Sequence, residues 1–305
     1  MSEFEQMSLT EATFNHFAVN SKIRLIELFG GIGAQSKALE VLGADFESWR
    51  VCEWSAQSIV AYNAIHKKDW ADYSVGLSKD EVIAKVKGVS QDYNSPLTDE
   101  QLAKKPEDWL RKLYSSMVAI KDYCPDISRL KGQDLNICDR EKYAYIMTYS
   151  FPCQDLSVAG LRKGMQKDSS TRSGLLWEVE RILNELHESG NLPQVLIMEN
   201  VPQVCNGENL KPWNDWLDAL ERLGYSNYHK ILNAKNYGIP QSRKRCFMVS
   251  VLGDYAFTFP DPVRLKFCIK DFLEKGKVDE KYYLSDEIVK GFIAHNEKEE
   301  GTADD

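Results

Sequence analysis

Residues 151 to 154 read Phe-Pro-Cys-Gln, directly after a run with the composition of a buried strand, Tyr143 to Tyr149 (YAYIMTY). A strand that ends in a Pro-Cys turn places a thiol on a loop at the carboxyl edge of a sheet, where open α/β proteins keep their chemistry. Cys153 is then either an inert, partly buried thiol or a nucleophile. The second role requires a cation or backbone N–H groups to hold the thiolate at neutral pH. Glu199-Asn200-Val201-Pro202 ends the next apolar run, Gln194 to Met198, and belongs at the same sheet edge. Glu199 is a general acid if burial raises its pKa, and otherwise a solvated residue in an Asn turn. Gln241-Ser242-Arg243-Lys244-Arg245 puts arginines at alternate positions, hence on one face of a strand. That face can hold a phosphate or a carboxylate by forked hydrogen bonds, or simply keep an edge strand in solution. Upstream, Phe29-Gly30-Gly31-Ile32-Gly33 follows the apolar run Ile23 to Leu28 and opens a helical pattern, so its backbone can approach a ligand at a helix N-terminus. The pattern is not G-x-G-x-x-G, which argues against a dinucleotide pyrophosphate. Glu53 lies 20 residues past Gly33, at the end of a second predicted strand, where a carboxylate can bind a ribose diol.

The elements that must position these groups alternate. Strands are predicted at Ile23 to Leu28, Trp49 to Glu53, Tyr143 to Tyr149 and Gln194 to Met198. Helices are predicted at Ala34 to Leu42, Ser55 to His66, Leu175 to Leu186 and Pro212 to Leu223. This order predicts an α/β fold with a doubly wound, mostly parallel sheet. Tyr228 to Leu232 and Arg245 to Leu252 are joined by a short polar loop and predict an antiparallel edge. Residues 67–131 have a different texture. Thr98-Asp99-Glu100-Gln101 has the form of a capping box before an amphipathic pattern of Leu102, Trp109, Leu110, Leu113 and Met117. This stretch is expected to be a helical insertion, either an appendage covering the sheet or a docking surface. Residues 1–20 are expected to be a flexible leader, 21–253 the main domain, and 254–305 a helical lead-in (Lys270 to Asn296) with an acidic tail.

Bulk properties narrow the class. The 305 residues are 43% hydrophobic and 28% charged, as in a soluble globular protein. No apolar run of about 18 residues is present, and the first residues lack the basic start and apolar core of a signal peptide. Seven cysteines without a C-x-x-C pair point to a reducing cytoplasm rather than a disulfide framework or zinc ribbon, and five scattered histidines give no metal-ligand spacing. The net charge of −8 is unlike the basic footprint of a nucleic-acid binder. Local clusters run the other way: Arg162, Lys163, Lys167 and Arg172 after the cysteine, and Lys235, Arg243, Lys244 and Arg245 further on.

Taken together, ELFGGIGA (27–34), CEW (52–54), QDL (133–135), SFPCQDLSVAG (150–160), MENV (198–201) and NYGIPQSRKR (236–245) resemble the cytosine-5 DNA methyltransferase family, in the family's order. The resemblance covers roughly Ile23 to Gly253 apart from the insertion. It implies a seven-stranded sheet of the S-adenosylmethionine-dependent methyltransferase type. It also implies methyl transfer to C5 of a cytosine flipped out of duplex DNA, through a covalent adduct. Cys153 maps to the nucleophile, Glu199 to the acid, and Arg243 and Arg245 to the arginine pair. The cofactor pocket maps to Phe29, Gly31, Gly33, Glu53, Trp54, Asp134, Leu135, Pro152 and Leu175. Gln154, Ser157, Arg162, Lys163, Arg172 and Gln241 are the expected DNA contacts, with Gly160 to Arg172 as a lid over the flipped base. The family's pattern continues past Gly253 with a variable recognition region and two further motifs, and neither motif is found in Asp254 to Asp305. The expectation is therefore the catalytic subunit of a split enzyme, with a second polypeptide supplying the rest. The alternatives are a truncated or non-catalytic DNA-associated form and a tRNA cytosine-5 methyltransferase.

Overall fold

The computed structural model describes residues 21–92, 94–153, 156, 164–167 and 171–300, without the side chains of 295–300. The expected leader, Gln154, Ser157, Arg162, Lys163 and most of the expected lid lie outside the described residues. Two compact units are present. The first runs to Asn233 and resumes over Ser242–Pro262; the second joins Ala234–Gln241 to Val263–Asp305.

The first unit is built on β1 (Lys22–Leu28), β2 (Phe46–Cys52), β3 (Tyr143–Tyr149), β4 (Val195–Asn200), β5 (Tyr225–Asn233) and β6 (Lys244–Leu252), in the order β2-β1-β3-β4-β6-β5. β1, β2, β3 and β4 pair in parallel, and β6 is antiparallel to both β4 and β5. β1 is buried from Ile23 to Leu28, and β3 from Ala144 to Tyr149, because helices or loops cover both faces. Helices α1 (Ala34–Val41), α2 (Ala56–Tyr62), α6 (Leu176–Glu188) and α7 (Leu210–Arg222) follow the parallel strands and β4. On one face Leu176, Ile182, Leu183, Trp213 and Trp216 pack with Met147, Tyr149, Leu196 and Met198. On the other, Ile23, Leu25, Ile146, Val195 and Val249 pack with Phe257 and Phe259.

The sheet has six strands among the described residues, where seven were expected. Residues 121–136 run along the free edge of β2 but form no ladder with it. Pro125 has no N–H to give, and Lys121 and Asn136 take left-handed backbone (φ 62° and 49°). Side chains fasten the stretch instead. Trp49 Nε1 donates to Leu135 O at 3.0 Å and Arg50 Nε to Asp134 O at 3.2 Å.

The insertion is helical, as its pattern predicts. It contains α3 (Lys79–Lys85), α4 (Asp99–Ala103) and α5 (Glu107–Ile120). The Thr98 box forms, with Gln101 N donating to Thr98 Oγ1 at 3.2 Å and Thr98 N to Gln101 Oε1 at 2.9 Å. Leu102, Leu110, Leu113 and Met117 turn inward against Val51, Ile59 and Tyr62. The second unit holds 3₁₀ turns at Ile269–Phe272 and Glu280–Tyr282 and helix α8 (Asp286–Glu300). The continuous helix expected from Lys270 is broken at Gly276 (φ 147°) and restarts beyond Ser285, whose carbonyl accepts from Val289 N at 3.0 Å. None of the described residues of this unit is buried. No helix among the described residues is long and apolar enough to cross a membrane.

Candidate active site

β1 has β2 on one side and β3 on the other, so the chain reverses its winding between β1 and β3. In open α/β sheets the crevice beyond the carboxyl ends at such a point is where ligands bind. The register brings four motifs to that edge. Leu28 pairs with Cys52 and with Tyr149, and Tyr149 with Met198. The segments that leave this row are the glycine turn, Glu53-Trp54, Pro152-Cys153 and Glu199-Asn200. β6 runs the other way, so its first residues reach the same edge: Glu199 pairs with Phe247 and Asn200 with Cys246.

The glycine turn is held under constraint. Phe29, Gly31 and Gly33 all have positive φ (57°, 55° and 81°), a rare conformation for a phenylalanine. A Cβ on Gly33 would lie 2.5 Å from His66 Nε2 and 2.6 Å from Tyr62 Cε2. His66 Nε2 lies 2.9 Å from Ile32 O, which closes the turn from below. Beneath it, the buried Glu27 carboxylate accepts from Ser36 Oγ at 2.7 Å and Tyr62 Oη at 2.5 Å. Burial pushes the Glu27 carboxyl above its ordinary range.

Glu53 is buried, with Oε2 accepting from Gly31 N at 2.7 Å and Oε1 from Ser55 N at 2.7 Å. The carboxylate thus ties the end of β2 to the glycine turn. The Trp54 backbone N–H also reaches the carboxylate, and its remaining acceptor capacity is open to a further donor. Burial raises its pKa, and the backbone hydrogen bonds oppose that. Beside it Asp122 is 1% exposed; Oδ2 accepts from Glu53 N at 3.2 Å, while Oδ1 has no partner. Burial, and then the Glu53 charge, push Asp122 well above its ordinary value. Trp54 is half-buried at the same edge. Asp134 and Leu135 sit elsewhere: their carbonyls contact Arg50 and Trp49 within β2 rather than Glu53 beyond its end. The Asp134 carboxylate caps Lys131 N at 2.9 Å, and Leu135 is 1% exposed. A cavity of about 390 Å³ between Arg50, Lys121, Tyr123 and Asp134 opens there.

Cys153 is half-buried at the end of its turn. Three successive carbonyls fix that turn. Phe151 O accepts from Asn200 Nδ2 at 3.0 Å, Pro152 O from Ser173 Oγ at 2.8 Å, and Cys153 O from Leu156 N at 3.0 Å. The other cysteines near this edge are less suited to react. Cys52 and Cys246 are buried, and burial drives both thiols upward. Glu199 is half-buried and ion-paired with Arg245, Nε to Oε1 at 3.0 Å. Arg243 is exposed and precedes the β6 ladder; its backbone N donates to Asn233 Oδ1 at 3.1 Å. Leu175 is half-buried in the turn Ser173–Leu175 that opens α6. Two of the cations that follow Cys153 in the sequence are engaged within the chain. Arg172 Nη2 donates to Asn94 Oδ1 at 2.6 Å, and Lys167 pairs with Glu180 at 2.5 Å. Gln241 is exposed in the second unit. Sequence reasoning missed Ser173, Asp122 and the support under the glycine turn. Only Asn200 carried a signal, as part of the Glu199 motif.

A half-buried thiol on a fixed turn, a carboxylate paired with an arginine and a strained glycine turn thus stand together at the switch point of an open α/β sheet. Comparison with known proteins gives the family. The profile described as C-5 cytosine-specific DNA methylase matches residues 77–304, which includes Cys153, Glu199 and Arg245 and runs past Gly253. The orphan methyltransferase M.SssI of Spiroplasma monobiae is 39% identical over 242 residues, covering 77% of this chain and 60% of that protein. The type II methyltransferase M2.ScrFI of Lactococcus lactis subsp. cremoris is 34% identical over 270 residues, covering 88% of this chain and 71% of that protein. The chain belongs to the C-5 cytosine-specific DNA methylase family. It spans 60% of the length of the first of these relatives. Among solved structures, the S. pombe Dnmt2 methyltransferase superposes with a TM-score of 0.56 at 17% identity, over 90% of this chain and 66% of that one. The Entamoeba histolytica methyltransferase EhMeth gives 0.50 at 16% identity, over 88% and 64%. At such identities these two matches establish the fold alone.

Proposed function

We propose that this chain is the catalytic part of a DNA (cytosine-5-)-methyltransferase acting in the cytoplasm on duplex DNA. The observation that carries the reading is the juxtaposition, at one sheet edge, of the fixed Cys153 turn, the Glu199–Arg245 pair and the glycine turn. The glycine turn and Glu53 suit the adenosyl and ribose parts of S-adenosylmethionine. The open backbone at Gly31 admits close approach, and Glu53 presents acceptor capacity. Phe29, Trp54, Pro152 and Leu175 are half-buried and offer apolar walls, with Asp134 and Leu135 further along β2. When bound, the cofactor supplies an electrophilic methyl group.

The chain's own residues activate the acceptor. C5 of cytosine is a poor nucleophile. Addition of the Cys153 thiolate to C6 pushes electron density to C5, and a proton given to N3 by Glu199 makes the ring accept that addition. Arg245 holds the Glu199 carboxyl in place, and the ion-paired carboxylate must take up a proton from solvent before it can give one to N3. Once C5 carries the methyl group, loss of its proton expels the Cys153 thiolate and restores the ring. The base lies inside a duplex and must be turned out to meet the thiol. Gln154, Ser157, Arg162, Lys163, Arg172, Gln241 and Arg243 are the proposed DNA contacts, which for Arg172 requires leaving Asn94.

We also propose that a second polypeptide completes the enzyme. The second unit exposes Phe267, Phe272, Tyr282 and Phe292 by more than half, as a surface that meets a partner would. The relatives named as type II methyltransferases point to a restriction-modification setting.

The test is transfer of a labelled methyl group from S-adenosylmethionine to duplex DNA of mixed sequence. Label recovered as 5-methylcytosine from the chain, and lost with Cys153→Ser, supports the reading. Equal transfer by Cys153→Ser, or label on another atom, sinks it.

A further inference from the structure

The turn that carries Cys153 has left the sheet. β3 ends at Tyr149, so the carbonyls of Phe151 and Pro152 have no ladder partner on either side. They are held from two different elements. Asn200, the last residue of β4, reaches Phe151 O, and Ser173, at the head of α6, reaches Pro152 O. Both side chains are buried, at 3% and 0% exposure. Asn200 is itself fixed, because its Oδ1 accepts from Val201 N at 2.8 Å. With Leu156 N on Cys153 O, three consecutive peptide planes are oriented, and the last two flank the Cys153 Cα. The orientation of those planes sets the direction of the Cα–Cβ bond and therefore of the thiol.

We propose that Ser173 is a positioning residue for Cys153: its hydroxyl fixes the Pro152 carbonyl and thereby aims the thiol. This rests on the methyltransferase reading given above. The Ser173 hydroxyl acts on backbone, Pro152 O, rather than on a reacting atom. Its contribution is geometric, and a misplacement of about 1 Å at a reacting group is enough to slow a reaction about a hundredfold. Threonine keeps the hydroxyl and alanine removes it, so the two substitutions separate hydrogen bonding from packing.

The experiment compares the parent chain with Ser173→Ala and Ser173→Thr by two readouts. The first is methyl transfer to duplex DNA. Ser173→Ala is expected to lower kcat by about tenfold to a hundredfold with KM for S-adenosylmethionine nearly unchanged, and Ser173→Thr to recover most of it. The second is alkylation by iodoacetamide across a pH series, followed on the peptide containing Cys153 and on those of the exposed Cys138 and Cys268. The profile at Cys153 alone is expected to change with Ser173→Ala and to return with Ser173→Thr. An alanine variant with the parent's kcat and the parent's Cys153 profile overturns the proposal. So does a loss that threonine fails to restore and that follows a lowered urea midpoint, since that is a structural role. If the parent transfers no methyl group, the proposed function is what fails, and the alkylation profiles still decide the clamp.

Discussion

Three buried carboxyls stand around the glycine turn: Glu27, Glu53 and Asp122. Burial raises the pKa of each, so the folded chain binds protons that the unfolded chain has released. The sign follows from linkage. An acid with a raised folded pKa adds stability below its unfolded value, and that stability is lost as pH rises through the folded value. Asp122 gives the cleanest test, since Oδ1 has no partner and Oδ2 accepts from Glu53 N. Asp122→Asn keeps one acceptor and removes the buried charge. The variant is expected to exceed the parent in urea midpoint near pH 8, with the gap closing as pH falls to about 4, the ordinary aspartate value, and each unit of raised pKa counting for about 1.4 kcal/mol. Glu27 and Glu53 remain, so the slope with pH is reduced, not abolished. Equal midpoints for parent and variant at both pH values would show that Asp122 titrates as it does in the unfolded chain. None of this was legible in the sequence. An aspartate after a helix reads as a surface residue, and only the fold reveals that residue 122 is enclosed behind Glu53. Cys153 and Glu199 were legible because each follows a run apolar enough to be a parallel strand.

At the scale of elements, the glycine turn is the proposed seat of the cofactor. Its conformation is fixed by φ at Gly33 and by the ring and imidazole beneath. Gly33→Ala meets both obstacles. Left-handed backbone at a residue with a side chain costs about 1–3 kcal/mol, and the added carbon collides with Tyr62 and His66. The expected outcome is a lower urea midpoint together with weaker S-adenosylmethionine binding by calorimetry. Binding at the parent's affinity would separate the turn from the cofactor. The sequence predicted this strand–turn–helix, the Thr98 capping box and the antiparallel pair at the sheet edge, since each has a local periodicity or cap. It did not predict the path of residues 121–136. Those residues are fixed by Trp49 and Arg50, whose side chains reach their carbonyls from across the sheet edge. The implied seventh strand is absent from the described residues for the same reason. Contacts between side chain and distant backbone leave no period in the sequence.

For the whole molecule, the question is what the second unit is for. A segment that contributes to the fold buries apolar side chains. Here Phe272, Tyr282, Phe292 and Ile293 are 62%, 71%, 59% and 52% exposed, and no described residue of the unit is buried. Large apolar side chains exposed in this number mark an interaction site rather than a core. On helix α8, Ile288, Val289, Phe292 and Ile293 recur at the spacing of one helical face. Removing residues 263–305 should therefore leave the unfolding midpoint of the remainder unchanged within about 0.5 kcal/mol, the scatter expected of independent sites. The same truncation should abolish most of the fluorescence of a bound hydrophobic dye such as ANS, which reports exposed apolar surface. A clear loss of stability would assign these side chains to the core of the first unit. An unchanged midpoint with unchanged dye binding would locate the exposed apolar surface elsewhere, with Val41 at the end of α1 and Leu42 just after it next in line at 74% and 75% exposure. The expected pair of results leaves the second unit dispensable for folding and available to a partner.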